Sequence, residues 1–383
     1  MTKPNNTLAC GLMALAFWVA CSHETAVQYT KSGLDRRDFQ AVVNDKSTDL
    51  YVIRNANGME ACITNYGGRL VSLMVPDATG NSRDVVQGFA HIDGYTSEPS
   101  SFGATMGRFA NRINNGRFVL DDDTVQLDLN SGQHTIHGGG DGWRNQVFAA
   151  DQPDDSTLVL TYISPDGESG FPGEVAASVT FTVNQRNELA INYEAETTEK
   201  TVINLTNHSF FNLSGNLAET VLDDSLYVNA TQYTPLDSTL ITTGEISPVA
   251  GTPFDFTEPV SIRTALARDP ANTQLQLASG IDHNFVLNTG GSIDELAARL
   301  YAPSSGIVME VYTDEPGMQV YTGNMLDGSR TGKGNAPFGK QTAICLETQH
   351  FPDAPNKPQW PTTVLEPGER YTSACIYRFS VVK

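Results

Sequence analysis

The chain has 383 residues, 24 Lys+Arg against 44 Asp+Glu, and a formal net charge of −20. Hydrophobic residues make up 39%, enough in a chain this long to bury a large core, which argues against disorder. The acidity argues against a nucleic-acid partner, because phosphate contacts need clustered Lys and Arg, and it disfavours a site built to grip phosphorylated substrates.

The first element is an apolar run from Leu8 to Ala20 behind Lys3. It is shorter than the roughly 20 residues a membrane-spanning helix needs, so it reads as a signal h-region over residues 1–20. Small residues before Cys21 resemble a bacterial lipobox, although Trp18 stands where that pattern usually has Leu. The expectation is lipidation at Cys21 and a membrane tether, in an exported periplasmic or membrane-anchored bacterial lipoprotein; secretion by a plain signal peptide is the alternative. Residues 21–48 are polar and read as a tether, and residues 49–383 as one domain.

From about Leu50 onward, short strands alternate with turns. Met59, Ala61 and Ile63 alternate with polar or small neighbours, and Gly67-Gly68 breaks the run. Leu70 to Val75 follows. Phe118 to Leu129 predicts a hairpin across Asp121-Asp122-Asp123, and Val175 to Tyr193 predicts another across 184–187. Period-2 alternation with frequent turns predicts an all-β fold, a large antiparallel β-sandwich or a barrel. Helices are predicted only near 261–268 and 292–300. Cys62, Cys345 and Cys375 lie in apolar strand contexts and read as buried free thiols, with one disulfide left open.

The chemistry-bearing residues fall in loops and strand ends. Gly107 to Arg112 holds two arginines and an asparagine. His137 stands before three glycines. Thr206 to Leu213 surrounds His208 with polar and aromatic groups. Asp282 and Glu347 each place a carboxylate beside an apolar stretch, where a lone charge is costly. His134 and His137 have a spacing that suits a metal, but the sequence places no third ligand, so no metal is expected. No G-x-S-x-G elbow and no dinucleotide fingerprint is present. Singly, each residue also has a structural reading, such as Glu347 and Arg108 forming an ion pair.

Together these segments resemble the aldose 1-epimerase (galactose mutarotase) family, in order along nearly the whole chain after residue 50. The matching stretches are GRFANRI (107–113), HGG (137–139), DGESGFPG (166–173), TNHSFFNL (206–213), TPFDF (252–256), DHNF (282–285), PGMQVYTGN (316–324), ETQHFPDAPN (347–356) and PGE (367–369). Phe171 and Phe210 stand where Tyr is common, and Trp143 sits nearer the His137 glycines than the usual Trp. The resemblance implies a supersandwich fold and interconversion of the α and β anomers of a free aldose such as galactose or glucose. It implies Glu347 as general base and His208 as general acid. It implies Arg108, His137, Asp282 and Gln319 as sugar ligands, with Asn111 as a helper.

The residue types suit that chemistry. Opening a hemiacetal needs a base at the C1 hydroxyl and an acid at the ring oxygen, each contributing about 10²–10⁴-fold. No hydride, electron or group is transferred, so no cofactor is expected. Phe210, Phe211 and Trp360 offer apolar surfaces for the sugar's C–H face, or core packing. A non-catalytic sugar-binding lipoprotein and a relative acting on hexose 6-phosphates are the competing readings.

Overall fold

The structure, a computed structural model, describes residues 1–2, 29–98 and 100–382. The expected h-region and Cys21 lie outside the described residues.

The architecture is an antiparallel sandwich. A nine-stranded sheet runs in the order Ala149–Asp154, Thr157–Ser164, Val175–Val183, Glu188–Thr197, Tyr371–Val381, Ile307–Thr313, Leu296–Tyr301, Ser225–Val228 and Val260–Ser261. Its long hairpins alternate buried and exposed side chains; Val175–Val183 buries every odd position. A four-stranded sheet (Leu50–Arg54, Glu60–Thr64, Arg69–Pro76, Ser82–Asp84) and a five-stranded sheet supply the opposing face. One core joins all three, with Ile63 and Leu73 from the four-stranded sheet, Val179 and Val311 from the large one, and Phe285 and Val320 from the third. Both predicted hairpins form, as Arg117–Leu120 with Asp123–Gln126 and as Val175–Val183 with Glu188–Thr197.

Two local readings differ from the structure, and one helix was not foreseen. Residues 292–300, read as helix, hold the strand Leu296–Tyr301, paired with Ser225–Val228 and Ile307–Thr313. Leu-Ala-Ala-Arg-Leu has helix propensity, but two flanking strands outweigh it. The predicted 261–268 helix forms as Ile262–Ala267, capped by the Ser261 hydroxyl, and a second helix, Thr273–Ala278, follows under an Asn272 cap. Residues 29–48, read as part of a polar tether, carry the short 3₁₀ turn Arg36–Phe39 and two short paired strands. Phe39 and Leu34 are buried in the second core cluster, beside Cys62 and Tyr66, which fixes this segment against the sandwich. Cys62, Cys345 and Cys375 are buried free thiols.

The five-stranded sheet (Ser247–Pro248, Gln232–Thr234, Asp282–Val286, Gly317–Tyr321, Cys345–Gln349) positions the site. Opposite residues in a ladder share a face, as do residues two apart. The register sets Asp282, Tyr321 and Cys345 in one row, and Asn284, Gln319 and Glu347 in the next. All six therefore share one face. The neighbouring Phe285, Val320 and Leu346 point the other way, into the main core.

Candidate active site

A cavity of about 250 Å³ lies over that polar face. Asp282, Tyr321 and Glu347 reach it from the sheet, and His208 and Phe210 from the adjacent segment. Asn111, Arg112, His137 and Arg144 come from the loops between 107 and 145, and Met325 completes the wall. Two larger clefts among the described residues lack such a buried pair. One of about 540 Å³ offers Lys46, Tyr51 and Tyr162 but no carboxylate or imidazole. Another, of about 520 Å³, includes His350, whose Nδ1 already meets Glu315 at 2.5 Å.

His208 ends the strand Thr206–His208, which pairs with Ala104–Met106. Its ring stacks on Phe210 at 4.9 Å with planes 16° apart, so Phe210 fixes the imidazole plane. His208 Nε2 lies 3.6 Å from Glu347 Oε1, too far for a good hydrogen bond. Glu347 Oε2 and His208 Nδ1 are buried without partners. Burial lowers His208 to about 3 and raises Glu347 well above its ordinary value, with Asp282 pushing the same way. An ion pair at this distance would favour the charged forms. Desolvation opposes it, favouring the uncharged form of each group.

The glycine-bracketed loops set His137. Gly138 has φ +80°, and a Cβ there would meet the Gly107 carbonyl oxygen at 2.0 Å. That close approach brings the 107–112 and 137–142 loops together. The Asn111 N–H donates to His137 Nδ1 at 3.2 Å, so the neutral ring carries its proton on Nε2. Burial, then His208 and the neighbouring arginines, hold His137 well below its usual value. Gln319 Nε2 donates to Asp282 Oδ1 at 2.6 Å. Burial raises Asp282 despite Arg112 and this hydrogen bond. The Cys345 thiol is likewise raised, first by burial and then by Glu347.

The structure thus brings together Glu347, His208, His137, Asp282 and Asn111, with Gln319 behind Asp282. It does not bring Arg108. That guanidinium is buried away from the cavity, donating to the Pro172 and Gly173 carbonyls at 2.8 Å each and to Ser164 Oγ at 2.6 Å. Arg108 closes a loop, and Arg112 takes the place in the cavity wall. Sequence order alone gave no way to choose between two arginines four apart. Tyr321 and Arg144 were also missed. Tyr321 was accessible by the period-2 rule from Gln319; Arg144, in a 3₁₀ turn beside Trp143, had no comparable signal. Of the three aromatics offered as sugar surfaces, Phe210 alone lines the cavity. Phe211 packs on Tyr377 and Trp360 on Phe351.

A buried carboxyl–imidazole pair in a small polar cavity on a β-sandwich defines an acid–base enzyme for a small ligand. The family profile described as aldose 1-epimerase matches residues 49–378. The chain is 41% identical over 319 residues to galactose mutarotase of Homo sapiens, covering 83% of this chain and 90% of that one. It is 32% identical over 332 residues to aldose 1-epimerase of Escherichia coli K12, covering 86% and 94%. A solved aldose epimerase homologue from C. elegans superposes with a TM-score of 0.81 at 29% identity, covering 88% of this chain and 100% of that one. The chain belongs to the aldose 1-epimerase family and is an enzyme that interconverts the anomers of free aldoses. The same comparisons correct the expected location. The relatives at 41% identity are mammalian galactose mutarotases, from Homo sapiens, Pongo abelii and Mus musculus, which overturns the reading of an exported bacterial protein.

Proposed function

We propose that Glu347 and His208 are the general base and general acid of anomer interconversion on free hexoses such as galactose and glucose. The observation that carries this is the buried pair itself, 3.6 Å apart in the cavity wall. The name galactose mutarotase, borne by the relatives at 41% identity, supports galactose as a substrate.

In ring opening, Glu347 takes the C1 hydroxyl proton while His208 gives its proton to the ring oxygen. The enzyme then holds a protonated carboxyl and a neutral imidazole, the form that burial favours. After rotation about C1–C2, the roles reverse and the ring closes on the other face. One proton shared by the pair returns to its starting place in each cycle. The acting form carries that proton on His208, against the preference that burial imposes. Sugar hydroxyls donating to the unpartnered Glu347 Oε2 favour this form, because hydrogen bonds to an ionised group are roughly twice as strong as neutral ones.

Arg112, His137 Nε2–H and Asp282 are the groups placed to bind hydroxyls. Gln319 and Asn111 act behind them, holding Asp282 and His137. Residues 49–383 form the catalytic unit in this reading, supported by a core cluster that runs from Ile53 to Phe379.

Glu347→Gln and His208→Asn are each expected to lower the rate of mutarotation by about 10²–10⁴-fold. The measurement is the optical rotation of freshly dissolved α-D-galactose. A rate near wild type in either variant removes that residue from its role.

A further inference from the structure

The acid–base reading gives work to Glu347 and His208 but none to the thiol between them. Cys345 stands two residues before Glu347 on the same strand face. Its Sγ, a Glu347 carboxylate oxygen and a His208 ring nitrogen all lie within 4.8 Å of one another. All three side chains are buried, and Glu347 Oε2 and His208 Nδ1 lack partners.

Thiolate, imidazole and carboxylate together match the ligand set of a borderline-soft divalent ion. Bonds of about 2.0–2.3 Å in tetrahedral geometry put ligand atoms roughly 3.3–3.8 Å apart. The His208 Nε2 to Glu347 Oε1 separation of 3.6 Å already falls in that range. The cavity, which His208 and Glu347 line, provides the entry path and an open fourth position.

We propose that His208, Cys345 and Glu347 form an inhibitory site for a thiophilic divalent cation such as Zn²⁺ or Cd²⁺. The metal–sulfur bond forms as the thiol proton leaves to solvent, and the metal–carboxylate bond as the proton on Glu347 leaves with it, with no change of oxidation state. The bound cation occupies both groups that the reaction needs, so turnover stops until it is withdrawn. Hard cations such as Mg²⁺ gain little from a thiolate and are expected to leave the enzyme active. The inhibitory half rests on the epimerase reading; the binding half does not.

The test is a Cd²⁺ titration of the full chain, following the ultraviolet thiolate-to-cadmium absorption. Wild type is expected to give one tight equivalent. Cys345→Ser should lose that equivalent, while Cys62→Ser and Cys375→Ser keep it. His208→Asn retains the thiol and should weaken it about 10–100-fold, a second route that does not depend on the Cys345 variant folding well. In parallel, Cd²⁺ should slow wild-type mutarotation and chelator should restore it. Cys345→Ser should keep its basal rate and need about 10–100-fold more Cd²⁺ for the same inhibition. A wild type without the tight equivalent, or a Cys345→Ser that keeps it, overturns the site. Tight binding without slowing of mutarotation overturns its inhibitory role. If the chain shows no mutarotation, the function reading fails while the absorption band still decides the site.

Discussion

In the proposed mechanism, the proton shared by Glu347 and His208 sets the pH range of the enzyme. The pair works with one proton between its two members. As pH falls, a second proton fills the base, and burial places that loss low because His208 is pushed down to about 3. As pH rises, the last proton leaves, and burial with the nearby Asp282 places that loss well above the ordinary carboxyl range. The two limbs belong to the pair, not to either residue alone. The expected profile of kcat/KM has an acid limb pushed to low pH and an alkaline limb pushed above the ordinary carboxyl range. Asp282→Asn removes the negative charge that holds Glu347 up, so it should move the alkaline limb to lower pH whatever it does to sugar affinity. A limb that stays in place would show that Asp282 does not act on Glu347. At this scale the sequence was informative where one chemistry-bearing residue stood alone in its segment, as with His208, Asp282 and Glu347. It failed where two equivalent residues shared a loop. Arg108 and Arg112 differ in what they touch, and that depends on Pro172, Gly173 and Ser164, more than 50 positions away along the chain.

Elements were legible where one face meets water. The hairpin Val175–Val183 with Glu188–Thr197 alternates cleanly because its outer face is solvated. Glu60–Thr64 is buried at every position, so the Met59, Ala61 and Ile63 alternation marks a strand there without marking a solvated face. The Leu296–Tyr301 strand was misread because its pairing partners, not its own residues, decide its state. The same edge of the large sheet holds a buried carboxyl. Asp224 precedes the Ser225–Val228 strand, and its Oδ2 has no hydrogen-bond partner. Burial, then Asp223, raises it from 3.8 to about 7. The folded state therefore holds this proton more tightly than the unfolded state. Its stability falls as pH rises from the unfolded value to about 7, and the loss is complete above that. Asp224→Asn keeps the shape without the charge. Thermal unfolding should show little difference between variant and wild type near about pH 4, and a gain of up to about 4 kcal/mol for the variant near about pH 8. An equal gain at both pH values would mean that the carboxyl charge is not the cause.

At the scale of the whole molecule, the all-β class was legible from turns and alternation, but which sheets oppose one another was not. The cavity depends on that meeting: the 107–145 loops, the Thr206–His208 strand and the five-stranded sheet converge from segments spread between residues 107 and 349. The net charge of −20 bears on the ligand. A net charge this negative repels anions at long range and leaves neutral molecules unaffected. Exposed charges are screened over about 10 Å at 0.1 M salt, whereas a buried pair is screened far less. Added salt should therefore leave kcat/KM for galactose nearly unchanged. For an anionic aldose such as a uronic acid, the same salt series should raise kcat/KM, because screening removes a repulsion that only the charged sugar feels. Polarimetry on both sugars across one salt series checks this. A galactose rate that drops with salt would place an unscreened surface charge in its binding and would shift attention to Arg112, a partly exposed cation of the wall.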